Sequence, residues 1–306
     1  MVLDKFNRPL TAIRISITQR CNLNCIYCHR EGESENNQRE MTVDEIIEIV
    51  RLSNEFGITK VKYTGGEPLL REDLPEIIHE TNKIPSIEDV SIVTNGIFLE
   101  KYAKKLCSGG LNRINVSLDT LDPQKYAKIT GQNSSLIDQV KKGILEALKC
   151  GIAPIKLNMV LLKGVNRTEV PELITFAKEN SLILQLIELV PMDSLSVFEQ
   201  YHMDLDDIEE YLEVQIKNTK IRDMQNRKKY YLKNGAEIEI VKPFHNSKFC
   251  ANCHRIRITS TGMIKPCLMR NDNLIDILTP IQNGRSNKEL YKLFQQAIER
   301  REPFCK

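Results

Sequence analysis

The stretch Ala12-Ile13-Arg14-Ile15-Ser16-Ile17-Thr18-Gln19-Arg20-Cys21-Asn22-Leu23-Asn24-Cys25-Ile26-Tyr27-Cys28 decides the fold. Successive side chains of a strand point to opposite faces, so Ile13, Ile15 and Ile17 share one face while Arg14, Ser16 and Thr18 share the other. Residues 12–18 are therefore expected to form a strand with one apolar and one polar side. Three cysteines follow at once, in the loop leaving the strand's C-terminal end, where βα folds gather their chemistry. Cubane iron–sulfur clusters take one protein ligand per iron, so three thiolates spaced Cys-x3-Cys-x2-Cys leave one iron open. A zinc ion completed by a distant fourth ligand such as His29 is the competing reading. The spacing, with an aromatic residue before the last cysteine, favours iron–sulfur.

Working outward, the same alternation recurs. Strands are expected at Ala12–Thr18, Lys60–Thr64, Asp89–Thr94, Arg113–Asp119, Ile155–Val160 and Leu184–Val190. Helical stretches lie between them at Thr42–Phe56, Asp73–Asn82, Leu99–Cys107, Ser134–Cys150 and Thr168–Asn180. Thr42 and Glu45 have capping-box spacing, and Gly57 and Gly151 stand just past helix ends. Alternating strand and helix predict a parallel sheet with helices outside. On one strand face sit Arg14, Lys60, Lys62, Asn115, Ser117, Asp119, Lys156 and Asn158. Parallel sheets normally have both faces covered, so a polar, basic face fits an open lumen that holds ligands. The predicted fold class is α/β: an incomplete (β/α)6 TIM-type barrel over residues 1–215, with a C-terminal α+β extension over 216–306 covering the mouth. The Lys217–Lys229 charges are expected to be a solvated surface.

That extension carries Phe249-Cys250-Ala251-Asn252-Cys253-His254-Arg255-Ile256-Arg257 and then Cys267, a Cys-x2-Cys-x13-Cys set. It too has three thiolates, and taken alone it suits zinc, with His245 or His254 as fourth ligand, as well as iron–sulfur. Lys plus Arg number 43 against 41 Asp plus Glu, a net charge of +2, which gives no global case for nucleic acid or membrane. The sequence shows neither an apolar run of about 18 residues nor an N-terminal signal region, so a cytoplasmic protein is expected. Nine cysteines, concentrated in two clusters, argue for metal ligation over disulfides in a reducing compartment. Cys107 and Cys150 are expected in the core, and Cys305 as a free thiol.

Cys21, Cys25 and Cys28, together with Thr64-Gly65-Gly66-Glu67-Pro68 after the second strand, resemble the radical S-adenosylmethionine (SAM) superfamily. The resemblance implies one 4Fe-4S cluster on those cysteines and SAM held by Tyr27, Gly65, Gly66, Glu67, Thr94, Asn95, Ser117 and Val190. With the second triad and Arg255 and Arg257, the chain looks like the GTP 3′,8-cyclases of molybdenum cofactor biosynthesis. That likeness runs from Asp4-x-Phe6-x-Arg8 through Thr94-Asn95-Gly96, Lys163-Gly164-x-Asn166 and Ile187-Glu188 to Cys267. It implies a second 4Fe-4S cluster on Cys250, Cys253 and Cys267 that takes the guanine, with Arg14, Lys60, Lys62, Lys156, Arg255 and Arg257 holding the triphosphate and ribose. The reaction implied is hydrogen abstraction at C3′ of GTP followed by closure onto C8. A reductant protein, a downstream cyclic pyranopterin monophosphate synthase and a homodimer are the expected partners; a two-cluster enzyme acting on a peptide is the competing activity. Lys62 and Gln185 stand where arginine is common, Val93 where threonine is, and residues 302–306 where many members carry a Gly-Gly tail that enters the active site.

Overall fold

The computed structural model describes residues 2–33, 39–192 and 194–305. All six expected strands form: β1 (Ala12–Ser16), β2 (Lys60–Thr64), β3 (Asp89–Thr94), β4 (Arg113–Ser117), β5 (Ile155–Leu161) and β6 (Ile183–Glu188). Each is parallel to the next. Between them run α1 (Val43–Glu55), α2 (Leu74–Asn82), α3 (Leu99–Ser108), α4 (Pro123–Thr130), α5 (Leu136–Lys149) and α6 (Val170–Glu179). The Thr42–Glu45 capping box starts α1. The short α4, capped by the Asp122 side chain and ended by left-handed Gly131, has no counterpart in the sequence expectations.

The alternation resolves as expected. Ile13, Ile15 and Ile17 are fully buried in the layer between sheet and helices, with Val61, Tyr63, Ile114 and Leu157. Burying such side chains stabilises the wall by roughly 1.5–3 kcal/mol each. Cys107 and Cys150 pack against this layer.

The extension continues the sheet at both edges. β7 (Ile216–Ile221), β8 (Lys228–Leu232) and β9 (Glu237–Val241) join through a parallel β9–β6 pairing. β10 (Arg255–Ile258), β11 (Met263–Lys265) and β12 (Ile275–Asp276) join the opposite edge through a parallel β10–β1 pairing. The sheet order is β12-β11-β10-β1-β2-β3-β4-β5-β6-β9-β8-β7, an unclosed barrel.

Strand direction fixes where the cysteines lie. Cys21, Cys25 and Cys28 follow β1 and sit beyond the C-terminal ends of the parallel strands. Cys250 and Cys253 precede β10, which runs with β1, and Cys267 follows β11, which runs back against β10. The second triad is therefore at the N-terminal ends of the strands, and the extension covers that mouth, opposite the first triad.

Candidate active site

Both triads open onto one cavity of ≈ 750 Å³, lined by Cys21, Cys25 and Cys28 at one end and Cys250, Cys253 and Cys267 at the other. That size lies in the upper part of the ~300–1,000 Å³ range of small-molecule sites.

The first end is built on backbone closeness. Gly65 and Gly66 line the cavity, and a Cβ at either would stand 2.2 Å from a carbonyl oxygen, of Thr18 or Arg20 respectively. Glycine is thus required for this turn to lie against the chain entering the cysteine loop, which it does through Gly66 N–H to Thr18 O and Glu67 N–H to Arg20 O, both 2.8 Å. Glu67 is fully buried and is not among the cavity-lining residues. Its carboxylate accepts from Thr94 Oγ1 (2.7 Å), Asn95 N–H (2.6 Å) and Leu69 N–H (2.9 Å), and burial pushes it up to about 7. Glu67 thus acts here as a tie between two loops. Asn95 extends the tie by donating to Asn22 Oδ1 at 2.8 Å. Tyr27 donates to Asp119 Oδ2 at 2.5 Å, and burial raises Asp119 to about 6. Tyr27, Thr94, Asn95, Ser117 and Val190 all line this end.

The lumen wall is built on charge. Register places Arg257, Arg14, Lys62, Ser91 and Arg113 side by side across five strands. Glu31, three residues past Cys28, sits between two of them, 2.5 Å from Arg14 and 2.7 Å from Arg257. Burial alone would raise its pKa, but these two guanidinium groups bring it down to about 2. Further round the wall, Glu239 meets Lys156 at 2.5 Å and Arg222 at 2.9 Å, and it too is held near 2 against the effect of burial. Lys62 Nζ donates to Asn115 Oδ1 at 2.6 Å. Burial, then the charges of Arg113, Arg14, Arg255 and Lys156, hold it well below the usual lysine range. Burial first, then Arg257 and Arg14, lower Arg255 to about 9. Arg14, Lys62, Lys156, Arg255 and Arg257 thus converge on the cavity, while Lys60 sits exposed at its rim.

The Lys217–Lys229 expectation needs correction. Strand β7 is exposed as foreseen, but Arg222 and Arg227 turn inward and line the cavity. The chain reverses at 222–227, and a charge count cannot register a reversal. Glu31, Glu239 and Arg113 were also missed; only pairing register and ion-pair partners reveal them.

Both thiol sets fit the clusters their spacing suggests. Cys25 lies close enough to Cys21 and Cys28 to feel their charge, as Cys267 does with Cys253. Burial pushes the Cys25 thiol up, so with nothing bound the protonated thiol is favoured there. Among the described residues no three His, Cys, Asp or Glu side chains converge tightly enough to hold a single metal ion. Cys305 lies beside Cys250, and Glu302 and Phe304 line the cavity there. No described helix is long and apolar enough to cross a membrane.

Residues 15–177 match the radical SAM superfamily model, and residues 182–306 match Molybdenum Cofactor Synthesis C. A Methanococcus aeolicus protein named "Probable GTP 3′,8-cyclase" is 47% identical over 99% of both chains. A Thermococcus kodakarensis protein of the same name is 44% identical over 100% of both. Among solved structures, Streptococcus suis SuiB bound to S-adenosylmethionine superimposes with a TM-score of 0.67 at 18% identity, covering 89% of this chain and 64% of SuiB. Native anSMEcpe with bound AdoMet gives 0.62 at 16% identity, covering 95% and 82%. These two speak for the fold alone. By its sequence the chain belongs to the radical SAM superfamily and, within it, to the GTP 3′,8-cyclase family.

Proposed function

We propose that this protein converts GTP to (8S)-3′,8-cyclo-7,8-dihydroguanosine 5′-triphosphate, the first step of molybdenum cofactor biosynthesis, using two 4Fe-4S clusters and SAM. The observation that carries the reading is the single cationic cavity with a cysteine triad at each end. Cys21, Cys25 and Cys28 hold the first cluster, and Cys250, Cys253 and Cys267 the second. When bound, the first cluster and SAM supply a 5′-deoxyadenosyl radical.

The chain's own residues supply position. Gly65, Gly66, Thr94, Asn95, Ser117 and Val190 form the SAM-binding wall, with backbone close enough to grip the cofactor, and Tyr27 is fixed there by Asp119. Arg14, Lys60, Lys62, Lys156, Arg255 and Arg257 hold the triphosphate and ribose. A triphosphate carries roughly four negative charges, and buried anions need paired, hydrogen-bonded cations. Binding from both ends keeps water from the reacting carbons and orients C3′ and C8 toward each other. In this reading residues 216–306 are the part that adds the second cluster to the barrel of residues 1–215, a reductant protein supplies the electron, a cyclic pyranopterin monophosphate synthase consumes the product, and the protein works in the cytoplasm.

Anaerobic incubation of the reconstituted protein with SAM, reductant and either GTP or ATP tests this. GTP should yield 5′-deoxyadenosine and a cyclised nucleotide, and ATP neither. Equal turnover of the two nucleotides would remove GTP as the substrate.

A further inference from the structure

Residues 222–227 form the turn between β7 and β8, and two contacts fix it. Arg222 N–H donates to the Arg227 carbonyl at 2.9 Å. Gln225, in left-handed backbone at φ 63°, donates its N–H to the Asn252 carbonyl at 2.7 Å. The second contact ties the turn to Asn252, between Cys250 and Cys253. From this anchored turn Arg222 and Arg227 enter the cavity.

Among the described residues, their ion pairs go to one carboxylate. Arg222 Nη1 stands 2.9 and 3.0 Å from the two Glu239 oxygens, and Arg227 Nη1 stands 3.6 Å from one of them. Lys156 Nζ reaches Glu239 at 2.5 Å, and Gln185 Nε2 does so at 2.5 Å. Glu239 is 1% exposed. Three cations therefore share one buried anion, and a buried excess of positive charge is unfavourable unless a further anion joins it. Each guanidinium has about five N–H donors and gives Glu239 only one nitrogen, so donor capacity remains on a wall that faces the lumen. A neutral base or sugar would leave the charge excess in place, whereas a phosphate chain would cancel it.

Given that a nucleoside triphosphate occupies this lumen, we infer that Arg222, Arg227 and Lys156 form a polyphosphate subsite and that Glu239 is its internal counter-anion before the nucleotide arrives. The nucleotide's phosphate oxygens take up the unused donors and compete with Glu239 for the shared ones. Arg222 and Arg227 thereby join the residues that bind substrate, although they lie in a segment whose composition looks like solvated surface.

The test is a binding series on anaerobic holoprotein, with both clusters assembled, using GTP, ATP, guanosine and inorganic tripolyphosphate as probes. Arg222→Ala should weaken GTP and tripolyphosphate roughly ten- to a hundredfold and leave guanosine unchanged. Glu239→Gln should tighten tripolyphosphate several-fold, because the internal competitor has lost its charge. Wild-type tripolyphosphate affinity in Arg222→Ala, or an equal loss of guanosine, would overturn the inference, as would weaker tripolyphosphate binding in Glu239→Gln with full iron content. Arg227→Gln, which keeps a polar side chain in place, repeats the first comparison if Arg222→Ala loses iron. Arg222-dependent tripolyphosphate binding with no preference for GTP over ATP would leave the subsite standing and remove the GTP reading, while a wild type that binds neither GTP nor tripolyphosphate would remove both.

Discussion

The two ends of the lumen are built by different means. At the first triad the wall is mostly uncharged: glycines pressed against carbonyl groups, a buried Glu67 satisfied by three donors, and Asn95 tied to Asn22. Beyond it the lumen wall is charged, with Arg14 and Arg257 around Glu31 between the triads and Lys156 and Arg222 around Glu239 further round. The first arrangement sets a shape before any ligand binds. The second stores cations, each cluster stabilised by one carboxylate, for an anion that brings its own charge. An uncharged wall suits a cofactor that is always the same, and a charged one suits a substrate recognised by its phosphates.

Several substitutions would break or sharpen this contrast. The largest effect should come from the triads themselves. Cys25→Ser should abolish 5′-deoxyadenosine formation, whereas Cys267→Ser should abolish only the cyclised nucleotide, each lowering iron from about eight toward about four per chain. Iron analysis with product chromatography checks both, and loss of 5′-deoxyadenosine in both variants would mean the ends are not separable.

Next, Arg257→Ala should weaken GTP binding by roughly 2–4 kcal/mol, since it also leaves Glu31 short of a partner. SAM affinity should stay as it was, and calorimetry with each ligand reads the split. Tyr27→Phe should do the reverse, weakening SAM by about 1 kcal/mol through the lost hydrogen bond to Asp119 and leaving GTP alone.

A smaller effect concerns pH. The folded-state pKa of Glu67 lies above its ordinary 4.5, at about 7, so the folded protein binds that proton more tightly than the unfolded chain. Its contribution to stability is fully present below the ordinary value and is lost as pH rises through about 7. Glu67→Gln should flatten that part of the stability profile, and a melting series across the window measures it. The smallest effect belongs to Cys305, which lies beside Cys250. Cys305→Ser should keep full iron content and GTP affinity, while a cluster that loses iron in this variant would make Cys305 a fourth ligand and close the iron meant for substrate.

Much of the first end was legible in sequence because its determinants are local. Cys21 to Cys28 and Gly65 to Pro68 are contiguous motifs, and the alternation at 12–18 gives both the strand and the face that bears Arg14. The six strands followed from the same period, and the parallel sheet from their alternation with helices. The charged end was only partly legible. Arg14, Lys62 and Lys156 announce themselves by alternating with apolar residues, but Glu31 and Glu239 become meaningful only once register brings distant strands together. Arg222 and Arg227 were hidden more thoroughly, since a turn tied to Asn252 carries them inward from a run of exposed charge. The placement of the second triad at the opposite mouth depended on β10 pairing parallel to β1, a long-range choice that no local pattern encodes.

The central claim is that one cavity lets chemistry begun at the first triad reach the sugar of a nucleotide held toward the second. Supplying GTP deuterated at C3′ with SAM and reductant, and weighing the 5′-deoxyadenosine formed, tests it directly. One deuterium per 5′-deoxyadenosine, matched by cyclised nucleotide, is the result this account predicts. 5′-Deoxyadenosine free of deuterium alongside unchanged GTP would contradict it.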